Sequence, residues 1–163
     1  MDAAFGEALI RLLPNLRRYA LSLSRRADLA DDLVQTTVER AIRAADSRDP
    51  ALRLEPWLFR ITRNAFIDLT RRHRTEGVQV DVFDIPEALP DDNDRVIEAR
   101  LMLRAARDAM KTLPPEQAEI LHLICIEDLS YAEAAEVLDI PKGTVMSRLS
   151  RARLALSERL GIR

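Results

Sequence analysis

Apolar residues recur at helical spacing along most of this chain, and this pattern constrains the possible fold more than any other feature of the sequence. In residues 9–23, an apolar side chain returns every three or four positions, with Arg on the other face. Residues 29–42 repeat the pattern, and further helix-start signals occur at Pro56, Pro115, Ser130 and Pro141. No segment alternates convincingly between apolar and polar residues, as a half-buried strand would. The sequence therefore predicts an all-α fold.

One segment interrupts the helical pattern. Residues 75–94 hold seven acids, no Lys or Arg, and the helix breakers Gly77, Pro86 and Pro90. A stretch of this length without secondary structure is uncommon inside a compact domain, and repulsion between its acids favours an extended chain. We predict an acidic linker between two small helical domains, residues 1–74 and 95–163. Cores of this size give modest stability, so we expect a partner to fix the relative arrangement of the domains.

Capping and helix-breaking residues predict local features of the helices. Pro14 marks either a kink or the start of a helix. Asp28 is predicted to be the N-cap of a helix that ends near Ala45. A later helix is predicted from Asp94 to Lys111. The inner stripe of the helix after Asp28 is predicted to comprise Leu29, Leu33, Val34, Thr37, Val38, Ala41 and Ile42.

Several classes of site are disfavoured by composition. A single cysteine, Cys125, excludes a disulfide framework, and the two histidines are too far apart in sequence to indicate a metal cluster, so we expect no metal and no cofactor. No apolar run approaches the roughly 18 residues of a membrane span, so we expect no membrane insertion. The first residues lack the features of a signal peptide, which predicts a cytoplasmic protein.

The net charge of −2 conceals a strong segregation of charge along the chain. Residues 53–74 carry six Arg against two acids, and residues 142–163 carry six basic residues against one acid. Residues 113–141 hold seven acids and neither Lys nor Arg. Two separate basic blocks indicate two separate contacts with an anionic partner. Solvated Arg-rich helix faces are the alternative, and charge alone does not decide between them.

The C-terminal basic block has the layout of a helix-turn-helix. Ser130 and Glu133 match the pattern of a capping box, and small residues follow where two helices would cross. The last helix is predicted to turn Val145, Leu149, Ala152 and Leu156 inward. Its outer part would then lie in a DNA major groove. The candidate DNA-contacting residues are Lys142, Thr144, Met146, Ser147, Arg148, Ser150, Arg151 and Arg153. A plain helical hairpin with a basic outer face is the alternative.

Aromatic residues and Arg alternate along the helix predicted to begin at Trp57. Such a surface can stack unpaired bases and hold a phosphate backbone, and the Asn64 amide can read a base edge. Core packing is the alternative for Trp57, Phe59 and Phe66, and we favour it for at least two of the three. The N-terminal block is therefore a candidate surface for single-stranded nucleic acid.

Taken together, these blocks resemble the bacterial RNA polymerase sigma factors of the extracytoplasmic-function (ECF) type. The residues that carry the resemblance are Asp32-Leu33-Val34-Gln35, Trp57-Leu58-Phe59-Arg60-Ile61-Thr62-Arg63-Asn64 and the run from Gly143 to Arg153. The resemblance covers the chain from about Leu12 to Leu160. It implies a region 2-like domain in residues 1–74 and a region 4-like helix-turn-helix domain in residues 95–163.

By this resemblance, the N-terminal domain would bind core RNA polymerase and open the −10 element of the promoter. The residues that would dock on the β′ clamp helices are Asp32, Leu33, Gln35 and Glu39. The loop from Ser47 to Glu55 would capture a flipped base, with Asn64 close by. The residues that would hold the opened strand are Arg60, Arg63, Arg71 and Arg72.

The resemblance also assigns a role to the C-terminal domain, which would contact the β flap and read the −35 duplex. Met146, Ser147, Ser150 and Arg151 would face the DNA. Family members often carry Glu directly after the Gln of the first block and Arg at the Met position, where this chain has Thr36 and Met146. Sigma factors of this type are usually held inactive by an anti-sigma factor, which is the further partner implied.

Two other classes of function compete with the sigma factor hypothesis. The first is a conventional helix-turn-helix regulator whose N-terminal domain serves for dimerisation. The second is an enzyme, for which the sequence offers no Gly-rich phosphate loop and no nucleophile elbow. The sigma factor hypothesis predicts a non-enzymatic protein that binds core polymerase and promoter DNA.

Overall fold

The computed structural model of the protein describes residues 2–76 and 94–162. The α-helices of these residues are α1 (Ala3–Ser24), α2 (Ala27–Ala44), α3 (Leu54–Glu76), α4 (Asp94–Lys111), α5 (Pro115–Leu121), α6 (Tyr131–Leu138) and α7 (Lys142–Leu160). A short 3-10 turn, Ala45–Ser47, follows α2, and a π-helical segment, His122–Ile126, follows α5. The described residues contain no strand, which confirms the all-α prediction. None of the described helices is long and apolar enough to cross a membrane.

The predicted linker falls almost entirely outside the described residues. Its first residues, Thr75 and Glu76, belong to the last turn of α3, and Asp94 begins α4 as predicted. The extended path predicted for the acidic residues between them therefore stays a prediction.

The structure corrects the predictions made for Asp28 and decides between the two alternatives given for Pro14. Pro14 lies inside α1, which begins at Ala3 with Asp2 as its N-cap, so this proline does not mark a helix start. Asp28 is not the N-cap of α2, because the helix begins at Ala27 and Arg26 holds the cap position. The Asp28 carboxylate lies in the first turn instead, where Arg26 Nη2 donates to its Oδ2 at 2.6 Å.

The N-terminal group of helices, α1 to α3, packs around side chains that are almost fully buried. Leu16, Tyr19, Leu58 and Phe59 are each at most 1% exposed, and apolar burial of this kind is the main source of stability. The predicted inner stripe of α2 is confirmed except at Ile42, which is 44% exposed. That residue lies in the last turn of α2, which ends at Ala44.

A pair of buried threonines joins α2 to α3. Thr37 and Thr62 are both 0% exposed, and their hydroxyl oxygens lie 3.0 Å apart. Each hydroxyl also lies within hydrogen-bond distance of the carbonyl four residues earlier in its own helix, on Leu33 and Leu58. Buried hydroxyls need such partners, and these two satisfy each other across the helix boundary.

The C-terminal group, α4 to α7, contains the helix-turn-helix. Ser130 Oγ accepts from the Glu133 amide at 3.0 Å and Glu133 Oε1 accepts from the Ser130 amide at 2.9 Å, which confirms the predicted capping box of α6. Asp139 ends α6 with φ of 53°, a left-handed conformation that reverses the chain, and α7 begins at Lys142. Ala134 and Ala152 are fully buried between α6 and α7.

The two groups of helices pack directly against each other. A single cluster of buried apolar residues runs from Leu16, Tyr19 and Phe59 in the first group to Ile120 and Leu123 in the second. In this structure the groups therefore contact each other directly, and the expected role of a partner in fixing their arrangement stays a prediction. The sequence pattern could not show this, because α1 and α3 present apolar residues both to each other and to the second group.

Candidate nucleic-acid interface

Helix α7 separates an apolar inner face from a polar outer face. Val145, Leu149 and Ala152 are buried, as predicted. The candidate residues of the outer face that are exposed are Lys142, Met146, Ser147, Ser150, Arg151 and Arg153, while Thr144 and Arg148 are half-buried at its edges. The outer face can therefore meet a DNA groove without disturbing the core of the domain.

The polar side chains of this face lie close along the helix. Ser147 Oγ donates to the Thr144 carbonyl at 3.2 Å, and Arg151 Nε donates to the Ser147 carbonyl at 3.4 Å. The Arg151 guanidinium thus lies over the preceding turn, as long side chains on helices do. Met146 is 52% exposed, so a flexible apolar side chain stands among these polar ones.

Helix α3 presents a second candidate surface. Arg60, Asn64, Arg71 and Arg72 are exposed, whereas Arg63 is half-buried and bound to another side chain. Four of the five side chains assigned to the −10 strand are therefore open to solvent.

The aromatic residues of α3 contribute less surface than their number suggests. Phe59 is 1% exposed and packs edge-on against Tyr19, with 5.3 Å between ring centroids, so it cannot stack on a base. Trp57 and Phe66 are half-buried and pack against the core. The core interpretation of these aromatics is thus confirmed for Phe59, and it holds in part for the other two.

Trp57 adjoins the loop that precedes α3. The Arg48 guanidinium lies 5.7 Å from the centroid of its ring, and Arg48 Nη1 donates to the carbonyls of Asp49 and Leu52. These bonds give the loop an internal framework. A cavity of about 300 Å³ opens beside it, lined in part by Phe5, Arg48 and Leu54.

Helix α2 carries the candidate docking residues. Asp32, Gln35 and Glu39 are exposed, and Gln35 Nε2 donates to Glu39 Oε1 at 3.4 Å. Leu33 does not lie on this surface, because it is 3% exposed and packs against Ala20 and Ala65. Its predicted role as a surface contact is therefore corrected to a core role.

A polar cluster between the two groups of helices was not anticipated from the sequence. Glu119 Oε1 accepts from the Tyr19 hydroxyl and from Arg63 Nε, each at 2.7 Å. Burial, the Glu119 charge and the hydrogen bond to it raise the pKa of Tyr19 well above its usual value, so this phenol stays protonated and donates.

A second carboxylate, that of Glu127, is fully buried in the same region. It accepts from Asn15 Nδ2 at 3.0 Å and Arg18 Nε at 3.2 Å, and His122 Nε2 lies 3.2 Å from it. Burial opposes its ionisation, but the contact with His122 and the hydrogen bonds from Arg18 and Asn15 outweigh burial and lower the pKa of Glu127 below its usual 4.5. The acid-rich segment 113–141, set against the Arg-rich segment 53–74, was the sequence signal that could have indicated this interface.

Other chemistry finds little support in the described residues. They contain no group of three or more His, Cys, Asp or Glu placed to hold a metal ion. Cys125 is exposed and forms no disulfide.

Comparison with known proteins assigns both halves of the chain. Residues 9–76 match the sequence model of Sigma-70 region 2, and residues 103–156 match that of Sigma-70, region 4. These ranges lie within the two helical groups and include both candidate DNA surfaces.

Individual relatives agree with this assignment. The chain is 39% identical to the ECF RNA polymerase sigma factor EcfG of Rhodopseudomonas palustris, over 91% of this chain and 81% of that protein. It is 33% identical to the ECF RNA polymerase sigma factor SigM of Bacillus subtilis, over 85% of this chain and 84% of that protein. The crystal structure of the sigma factor RpoE of Bartonella quintana in complex with the anti-sigma factor NepR is also similar, with a TM-score of 0.82, 35% identity and 99% of each chain covered. The chain therefore belongs to the ECF family of RNA polymerase sigma factors, which direct promoter-specific transcription.

Proposed function

We propose that this sigma factor reads its promoter with two separate surfaces, the outer face of α7 for the −35 duplex and α3 with its preceding loop for the opened −10 strand. The observation that carries the proposal is the division of α7 into a buried apolar stripe and an exposed face of Lys, Ser, Met and Arg side chains. A recognition helix needs this division, because base contacts must come from side chains that the fold does not use.

On α7, base reading and backbone binding are assigned to different residues. Arg151 and Ser147 lie one turn apart on the exposed face and are proposed to meet base edges, where Arg bonds guanine with two hydrogen bonds. Lys142 and Arg153 are proposed to hold phosphates on either side. Met146 cannot make a bidentate guanine contact, so we propose that the base pair it faces is read by shape or by an apolar thymine contact.

On α3, Asn64 is proposed to act with the loop of residues 47–55 on a base that has left the stack. Its amide is exposed on the same helix as Arg60, Arg71 and Arg72, which can bind the phosphates of the opened strand. Extruding a base costs a few kcal/mol, which these contacts must offset. The surface is thus suited to stabilising the opened strand.

Binding to core polymerase is proposed for the exposed face of α2, through Asp32, Gln35 and Glu39. An anti-sigma factor is a further proposed partner, supported by the Bartonella relative that was crystallised with one. Because its partners are core polymerase and promoter DNA, we propose that the protein acts in the cytoplasm and has no enzymatic activity of its own.

The test is transcription by core polymerase from a genomic promoter library, with Arg151→Ala and Asn64→Ala compared with the wild-type protein. If Arg151 contacts a base, its removal should cost about 1–3 kcal/mol and relax the preference at one −35 position. Asn64→Ala should alter the −10 preference and reduce permanganate-reactive open DNA, without moving the −35 preference. The opposite assignment of effects would contradict the two-surface proposal.

The regulator hypothesis, with an N-terminal dimerisation domain, is not favoured, because residues 9–76 match Sigma-70 region 2. The same experiment separates the two hypotheses. A sigma factor produces promoter-specific transcripts with core polymerase alone, whereas a conventional regulator requires another sigma factor.

A further inference from the structure

The loop between α2 and α3 contains a turn whose shape follows from its own sequence. The Leu52 amide donates to the Asp49 carbonyl at 3.2 Å, which closes a turn over residues 49–52. Pro50 holds the second position of this turn, where the fixed φ of proline is favoured. Asp49 Oδ1 also accepts from the Ala51 amide at 2.9 Å. These local bonds favour the turn, but they do not tie it to the helices around it.

Arg48 connects this turn to the helices of the N-terminal group. Its Nη1 donates to the Asp49 carbonyl at 2.9 Å and to the Leu52 carbonyl at 3.3 Å, so one nitrogen joins both ends of the turn. The same guanidinium lies over the ring of Trp57, in the first turn of α3, at 5.7 Å from its centroid. Trp57 also packs edge-on against Phe5 of α1, with 6.3 Å between ring centroids. Through these contacts the turn is held against both helices.

The surroundings of Arg48 suit a side chain that supports the loop better than one that binds DNA. Arg48 is half-buried, whereas Arg60 of the same surface is exposed. A phosphate could bind Arg48 only by displacing its bonds to the two carbonyls and its contact with Trp57. The Leu52 side chain, by contrast, is 64% exposed. The turn therefore presents an open side chain while its backbone is held from behind.

We propose that Arg48 is a positioning residue for the opened −10 strand. It holds residues 49–52 in the conformation that receives the flipped base, and it does not contact DNA itself. The inference rests on the proposed function of α3 with its preceding loop, and it adds the residue that shapes this loop before DNA arrives. A loop that is already fixed in its binding conformation loses less conformational entropy when it binds.

The expected size of the effect follows from the contacts that Arg48 makes. Without Arg48, the turn keeps its local bonds but loses two hydrogen bonds and the contact with Trp57. A typical net hydrogen bond shifts an equilibrium by about fivefold. Two such losses would leave about one molecule in ten with a receptive loop, which lowers the affinity for the flipped base about tenfold. Because the base leaves the stack only when the duplex opens, the loss should affect opening and spare initial binding.

The first experiment measures open-complex formation against the concentration of RNA polymerase assembled with each sigma variant, at a promoter selected from the genomic library. Permanganate reactivity reports the opened DNA, and the concentration dependence separates initial binding from opening. Arg48→Ala should weaken opening about tenfold and leave initial binding within about twofold. The control Arg43→Ala removes the same charge from an exposed position in the last turn of α2 and should leave both steps within about twofold. Equal losses in both variants would overturn the proposal, because charge alone would then explain them.

A second comparison distinguishes support of the loop from a direct phosphate contact. Lys keeps the charge but lacks the planar guanidinium, so Arg48→Lys should lose most of the same factor of about ten. A phosphate contact would instead survive in Arg48→Lys. Removal of such a contact in Arg48→Ala would also lower the slope of log affinity against log salt by roughly 0.7, whereas a positioning role leaves this slope unchanged. A lowered slope, together with near-wild-type opening by Arg48→Lys, would overturn the proposal.

Amide hydrogen exchange tests the loop in the free protein. The Leu52 amide donates to the Asp49 carbonyl and should exchange severalfold faster in Arg48→Ala than in the wild-type protein. Unchanged helicity would show that the variant is folded and that the change is confined to the loop. Equal exchange of this amide in the two folded proteins would overturn the proposal.

Asn64→Ala separates this inference from the function on which it rests. If neither Asn64→Ala nor Arg48→Ala affects the −10 element, the proposed function of α3 and its preceding loop is contradicted. If Asn64→Ala impairs opening and Arg48→Ala does not, only the positioning role of Arg48 is contradicted.

Discussion

The buried threonine pair between α2 and α3 permits a quantitative prediction about how these two helices are held together. Thr37 Oγ1 lies 2.7 Å from the Leu33 carbonyl and 3.0 Å from Thr62 Oγ1, and Thr62 Oγ1 lies 2.9 Å from the Leu58 carbonyl. Two hydroxyl protons thus serve three contacts. Replacing either Thr by Val leaves the other hydroxyl with a carbonyl to which it can donate, so neither single variant creates an unpaired buried donor.

The expected magnitudes follow from this geometry. Thr37→Val and Thr62→Val should each destabilise the protein by about 1 kcal/mol, the net value of a typical buried hydrogen bond. The double variant should cost about 1.5 kcal/mol rather than about 2, because the bond between the hydroxyls is lost only once, whereas each hydroxyl's bond to its own helix carbonyl is lost separately. The coupling energy is therefore predicted to be about 0.5 kcal/mol.

The assay is urea unfolding followed by circular dichroism and by the fluorescence of Trp57, the single tryptophan. Thr70→Val is the matched control. Thr70 lies in the same helix as Thr62, and each of these hydroxyls donates to the carbonyl four residues before it, at 2.9 Å, on Phe66 and Leu58 respectively. The losses in the free energy of unfolding caused by Thr70→Val and Thr37→Val should simply add in the double variant. A coupling energy between Thr37→Val and Thr62→Val that is no larger than that between Thr37→Val and the control Thr70→Val would refute the shared hydrogen bond.

Two further predictions concern docking and pH. Gln35→Ala should weaken binding to core polymerase and leave helicity unchanged, because Gln35 is exposed beside the inner stripe of α2; an unchanged affinity in a core-binding titration would count against the proposed docking face. The lowered pKa of Glu127 means that its stabilisation is present above its usual value of 4.5 and is lost as pH falls through the lower native value. Glu127→Gln should therefore lower the urea midpoint at pH 7, and the difference from the wild-type protein should shrink towards pH 3; a constant difference across this range would show that the carboxylate charge contributes nothing.

Much of the candidate site could be predicted from short stretches of sequence. The outer face of α7 follows from the spacing of Val145, Leu149 and Ala152, because a helix brings residues three and four apart to one side. The capping box of α6 follows from the spacing of Ser130 and Glu133 alone. Asp28 shows where such signals fail, since the same residue type that caps a helix also stabilises its first turn.

Burial within the candidate surfaces was harder to predict. Leu33 stands in the same sequence block as the exposed Asp32 and Gln35, yet it lies in the core. Phe59 alternates with Arg along α3 but packs on Tyr19 instead of facing a base. In both cases the helical period predicts that residues adjacent in sequence face different sides of the helix. Which of these sides faces the core depends on where the adjacent helices lie.

By itself, then, the sequence determined the all-α class, most helix boundaries and the polar face of α7, because caps, prolines and apolar periodicity act over a few residues. Only the tertiary structure decided that the two helical groups close on each other and that Arg63 is bound. The bond between Tyr19 and Glu119 joins residues 100 positions apart, and that between Arg18 and Glu127 spans 109. No local pattern encodes such pairs, because their formation depends on the packing of four separate helical segments, which brings an acidic stretch of one group against the arginines of the other.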